Sequence, residues 1–208
     1  MKMMKKLSLI ILALLMMSPL LCAQSLRKAS AAESRKMVNT INRRIAGLRQ
    51  ITASFVQESN LSFMDDKAIS KGSMSYSVKD GLTWQYLTPY QFELSIHKDK
   101  VVTKSGSHTQ HIDLKSNKMF SNIATMMMNC VSGKSLTSGN EFKVALYTGK
   151  SHWVAYLYPM KADFKKMFKV IHLHFNLQKS LVDKVELLQS NGDSIVISLY
   201  DLKVLSRL

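Results

Sequence analysis

Six histidines, two cysteines and fourteen acidic residues are the groups from which this 208-residue chain could assemble a reactive site. His172 and His174 alternate on one strand face and could share a metal ion. The neighbouring sequence offers no Cys, His or carboxylate to complete a set of three or four ligands, so no metal site is expected. His108 and His111, three apart in a polar strand or turn, would face opposite ways. Cys130 follows Met126-Met127-Met128-Asn129 on an apolar helical face, where cysteine acts as a small hydrophobe rather than a nucleophile. Asp65-Asp66, set between Phe63-Met64 and Lys67, reads as a turn rather than an acid–base pair. The chain has no glycine-rich phosphate loop and no nucleophile elbow. These residues point away from an enzyme and from a cofactor.

The unusual feature is soft apolar content. Of 14 methionines, Met1, Met3, Met4, Met16 and Met17 belong to the N-terminal segment, and Met119, Met126, Met127 and Met128 crowd one short stretch. Between Asn117 and Val131, Met119, Ile123, Met126 and Cys130 make one helical face, flanked by Phe120 and Met127. A methionine-rich helix suits apolar partners of variable shape. Laid over the concave side of a curved sheet it would act as a lid, and the space beneath would take an acyl chain. Such a ligand has no hydrogen-bonding groups to read and needs only a water-excluding groove.

The elements around this helix alternate with period two. Ser30, with Glu33 three residues on, caps a helix over 31–48 whose apolar face is Met37, Ile41, Ile45 and Leu48. Strand patterns follow at 51–56, 73–78, 82–87 and 92–97, with Lys79-Asp80-Gly81 as a hairpin signal. Val101-Val102 and Ile112 form a shorter polar pair around Ser105-Gly106-Ser107. Beyond the methionine helix, strands resume at 142–147, 153–158, 170–175, 181–188 and 195–202. A short turn or helix spans 160–167, and Asn191-Gly192 is a second hairpin signal. The expected fold is mainly β: a curved antiparallel sheet of about ten strands, closing into an incomplete barrel because open sheets of that size curl.

The N-terminus reads as an address. Basic Met1–Lys6, an apolar run from Leu7, Ser18-Pro19, then Leu20-Leu21-Cys22-Ala23 form a cleavable export signal, residues 1–23, with 24–208 as a single domain. A lipoprotein signal wants a small residue before its cysteine; Leu21 stands there, so Cys22 is expected to leave with the leader. Cys130 then stands alone and no internal disulfide is available. Removing Lys2, Lys5 and Lys6 lowers the formal charge from +15 to +12, a balance that favours anionic surfaces. No aromatic-basic strip marks a nucleic-acid partner.

Several segments taken together resemble the bacterial lipoprotein carrier family LolA, in its Bacteroidetes-type form. Ala53-Ser54-Phe55-Val56-Gln57 looks like the family's A-S-F-x-Q strand, and Lys71-Gly72-Ser73-Met74 like its glycine-marked second strand. Leu82 to Pro89 looks like its F/L-x-W-x-x-x-x-P segment, and Phe92-Glu93-Leu94-Ser95 with Lys98-Asp99-Lys100-Val101 like the strand and turn that follow. The resemblance covers 51–101; beyond it only the strand pattern agrees. The family's Arg-Pro after the second strand is replaced by Val78-Lys79-Asp80-Gly81, which implies a different control of the lid.

The resemblance implies a half-barrel with a helical lid and a monomeric periplasmic carrier of lipoprotein acyl chains. Its implied partners are an inner-membrane lipoprotein-releasing transporter and an outer-membrane acceptor. The candidate acyl-chain residues are Phe55, Met74, Tyr76, Leu82, Trp84, Tyr86, Phe92 and Leu94 on the sheet, with Met119, Ile123, Met126 and Met127 on the lid. The alternatives are a general envelope lipid-binding or sensor domain, and a membrane-anchored receptor of the same fold.

Overall fold

Ser30 sets the start of the first helix. Its backbone is extended, its Oγ accepts the Glu33 N–H at 3.3 Å, and the Glu33 carboxylate accepts the Ser30 N–H at 2.9 Å. This is the expected capping box, and it launches α1 (Ala31–Ala46), which stops at Gly47. Met37 and Ile41 fall on its buried face. The computed structural model describes residues 26–98, 100–116, 121, 124–129, 136 and 141–206. The export signal, Cys22, Met119, Phe120, Ile123 and Cys130 lie outside the described residues.

Twelve antiparallel strands form one sheet. In chain order they are β1 (Arg27–Lys28), β2 (Leu48–Asn60), β3 (Ala68–Ser77), β4 (Gly81–Thr88), β5 (Phe92–His97), β6 (Lys100–Ser105) and β7 (His108–Asp113). After a helical stretch at 124–129, here α2, come β8 (Phe142–Thr148), β9 (His152–Pro159), α3 (Ala162–Met167), β10 (Phe168–Asn176), β11 (Val182–Gln189) and β12 (Ser194–Ser206). The spatial order is β1-β8-β9-β10-β11-β12-β2-β3-β4-β5-β6-β7. Two meanders are thus joined where the last strand pairs with the first long one. Edges remain at β1 and β7, so the barrel is incomplete, as the patterning predicts. Two-residue β1 is too short to show a period and is absent from the expected set.

Register puts the apolar set on one face. Ala53, Met74, Trp84 and Leu94 stand opposite one another across β2–β5, as do Ile51, Tyr76, Leu82 and Ile96. Phe55, Gly72, Tyr86 and Phe92 form the third row. A Cβ at Gly72 would lie 1.9 Å from the Gln85 carbonyl oxygen and 2.6 Å from the Phe55 ring. Only a residue without a side chain lets that ring lie across β3. Gly81, at φ 84°, makes the predicted β3–β4 hairpin turn.

The interior divides into two apolar clusters. One gathers β2–β6 residues with Leu114, Ala124 and Leu181; the other gathers β8–β11 residues with Ile41, Met126 and Phe164. Helix α2 joins them, for Met127 and Met128 pack on the first cluster and Met126 belongs to the second. The helices therefore lie over the inner face of the sheet.

Candidate functional site: an apolar interior and a histidine patch

The aromatic stack is the rigid part of the inner face. Phe55 is fully buried and its ring lies 4.4 Å from Trp84, nearly parallel, and 5.3 Å edge-on from Tyr86. Tyr86 reaches Phe92 at 6.3 Å and Tyr90 at 5.5 Å, so the stack runs from core to rim. The Tyr86 hydroxyl donates to Gln57 Oε1 at 2.8 Å. Burial raises the Tyr86 phenol above its ordinary pKa, as it does for Tyr76, and both stay neutral at physiological pH. The indole Nε1 of Trp84 is buried close to the Tyr86 phenol but misses hydrogen-bonding geometry, leaving an unpaired donor inside.

Beside this stack lies a narrow seam. Ile51, Met74 and Trp84 line one wall; Val185, Ile197 and Leu199 are among those lining the other. Every lining residue is apolar. The seam holds about 30 Å³, an order of magnitude below the roughly 300 Å³ at which pockets begin to take a ligand. An acyl chain does not fit that space without movement of the walls. Met74 is the flexible side chain in the wall itself, and the α2 methionines join the two clusters elsewhere in the interior.

The structure brings most of the predicted residues together. Phe55, Met74, Tyr76, Leu82 and Trp84 are buried in the first cluster, with Tyr86, Leu94 and Met127 packed against it. Phe92 is half-buried at the rim beyond Tyr86. Met126 sits in the second cluster, not with Met127. Met119 and Ile123 lie outside the described residues. Lys79 is exposed in the hairpin turn and puts no charge inside. Sequence reasoning missed the second wall, Leu181 to Leu202. Its alternation was legible, but the β12–β2 pairing that turns it towards Trp84 was not.

On the opposite face of β9–β11 the polar residues converge. His172 Nδ1 lies 3.0 Å from Glu186 Oε2, and His174 Nε2 lies 3.2 Å from Glu186 Oε1. The His174 contact is off hydrogen-bonding geometry, so this buried nitrogen makes no hydrogen bond. Tyr156 stacks on His172 at 3.8 Å, and Lys184 pairs with Glu186 Oε1. Close by, His152 Nε2 is 3.1 Å from Asp183. Burial lowers the His174 pKa below that of a free histidine, reinforced by Lys184 and the neighbouring histidines against Glu186. Burial pushes the Glu186 carboxyl up, but Lys184, His172 and His174 together bring it down to about 2. Two imidazoles and an ionised carboxylate therefore stand within 4.8 Å of one another. A third potential ligand that the local sequence does not show, Glu186, fourteen residues from His172, arrives by strand pairing.

No protein-family model matches the chain, and no curated protein matches it. Solved structures do resemble it in part. A Pseudomonas aeruginosa MucA/MucB complex matches at 14% identity and a TM-score of 0.48, over 82% of this chain and 56% of that one. This chain thus spans little more than half the length of that relative. A LolA superfamily protein from Nitrosomonas europaea matches at 10% identity and a TM-score of 0.40, over 82% and 94%. The Mycobacterium tuberculosis lipoprotein LppX matches at 6% identity and a TM-score of 0.46, over 83% and 96%. Likenesses of this size leave the reading of function to the chain's own geometry.

Proposed function

We propose that the protein is a periplasmic carrier that takes lipoprotein acyl chains into the interior between sheet and helices and shuttles them from inner to outer membrane. The observation that carries this reading is the seam beside Trp84, whose walls are apolar throughout, in an interior whose two clusters are joined by a methionine-bearing helix. Burial of apolar area drives chain entry at about 25 cal/mol per Å². Opening costs the contacts of Met126, Met127 and Met128, which repack readily because methionine is unbranched. The unpaired Trp84 N–H gives an acyl ester carbonyl a donor to meet, which fits a lipid with an ester-linked head.

The carrier works as a monomer, passed its cargo by an inner-membrane lipoprotein-releasing transporter and relieved of it by an outer-membrane acceptor. An export signal cut near Ala23 would deliver it to the periplasm. Arg43 and Arg44 in the last turn of α1, with Lys179 across the same groove, suit an anionic headgroup or an acidic docking patch. The test is transfer. Incubated with spheroplasts, the mature protein should release lipoproteins in a soluble one-to-one complex and deliver them to outer-membrane vesicles. Binding of free lipid without lipoprotein release would reduce the protein to a general lipid binder.

A further inference from the structure

We propose that His172, His174 and Glu186 form a binding site for a divalent transition-metal ion of the zinc class on the outer face of β10 and β11. The three donor atoms come from two adjacent strands held in register, His172 directly opposite Glu186 and His174 opposite Lys184. His172 Nδ1 lies 3.0 Å from Glu186 Oε2 and His174 Nε2 lies 3.2 Å from Oε1, each near the edge of about 3.3 Å in a tetrahedron with metal–ligand bonds of about 2.0–2.1 Å. The two contacts use different oxygens of one carboxylate, so a single coordinating oxygen turns to face both imidazoles; one donor atom from each residue lies within 4.8 Å of the others, and small side-chain rotations close the remaining edges. Imidazole and carboxylate together suit zinc, copper or nickel rather than calcium or magnesium, whose sites are built from oxygen.

The surroundings look like a site rather than a chance cluster of surface histidines. His172 and His174 are largely buried, with side chains 13% and 15% exposed. Tyr156 fixes the His172 ring by stacking. His174 Nε2 has no hydrogen bond to lose when a metal arrives. Two contacts compete with a metal: the hydrogen bond between His172 Nδ1 and Glu186 Oε2, and Lys184, whose ammonium holds the Glu186 oxygen nearest His174. A metal ion displaces that ammonium and takes its place between carboxylate and imidazole. Three protein ligands leave a fourth position for water or a partner's side chain.

Calorimetric titration of the tag-free mature chain with zinc chloride tests this. One equivalent should bind per chain, and His172→Ala or His174→Ala should each weaken binding at least about tenfold, the smallest effect usual even for groups that only support a metal ligand. Lys184→Met keeps every ligand and removes the competing cation, so it should tighten binding. No binding by the unaltered chain would overturn the site, as would binding that survives both histidine substitutions or follows His108 and His111 instead. Failure of Lys184→Met to tighten binding would remove Glu186 from the ligand set. None of these outcomes bears on acyl-chain binding, which is read separately.

Discussion

The two faces of the sheet use the same backbone for opposite ends. Inward, Ala53, Met74 and Trp84 alternate with outward Thr52, Ser54, Ser73, Ser75 and Thr83, which line an open hydroxyl-bearing groove. On the second half of the sheet, Ile171, Leu173 and Phe175 point in while His172 and His174 point out. The inner face has bulk, close packing and, among the described residues, one unpaired donor, the Trp84 N–H. The outer face has charge, stacking and ligand geometry. A period of two therefore lets one strand serve a water-excluding interior and a coordinating surface at once.

That contrast breaks most readily at Phe55. Phe55→Ala removes a fully buried ring stacked on Trp84 and Tyr86, and should cost about 3–5 kcal/mol of stability in urea unfolding. Gly72→Ala drives a methyl into the Gln85 carbonyl and the Phe55 ring and should cost about 1–3 kcal/mol, measured the same way. On the outer face, Glu186→Gln removes the largely buried carboxylate that His172, His174 and Lys184 share; it should cost about 1–3 kcal/mol in the same unfolding measurement and leave acyl-chain binding unchanged.

The smallest effect belongs to the helix cap. The side-chain hydrogen bond from Arg27, then those from Ser30, hold the Glu33 carboxyl down to about 2. The folded value lies below the unfolded one, so the cap's contribution is complete above the ordinary glutamate range and is lost as pH falls towards 2. A carboxyl NMR titration should place the Glu33 midpoint near 2, and Arg27→Ala should raise it.

The inner face was largely legible because its information is local. Alternation in 51–56, 73–78 and 82–87 marks its residues, Gly81 and Asn191-Gly192 mark two turns, and Ser30 with Glu33 marks the cap. Alternation alone does not say which side faces in. The structure answers that through Gly72, the small position that receives the Phe55 ring. The second wall and the histidine patch were not legible, since both depend on pairings between strands distant in sequence. Ile197 meets Val185 and Gln57 only because β12 lies between β11 and β2. Glu186 meets His172 only because β11 folds back on β10 in a particular register. Moving that register by one residue would turn Glu186 inward and dissolve the patch.

The central claim, that the seam beside Trp84 opens to admit an acyl chain, is tested most directly by fluorescence quenching. In a Trp153→Phe variant, Trp84 is the remaining tryptophan. Titration with a diacylated lipopeptide brominated along its chains should quench Trp84 to saturation at one ligand per protein. Trp84 emission that does not change with the brominated lipopeptide, or changes without saturating, would contradict an acyl-chain site in the interior.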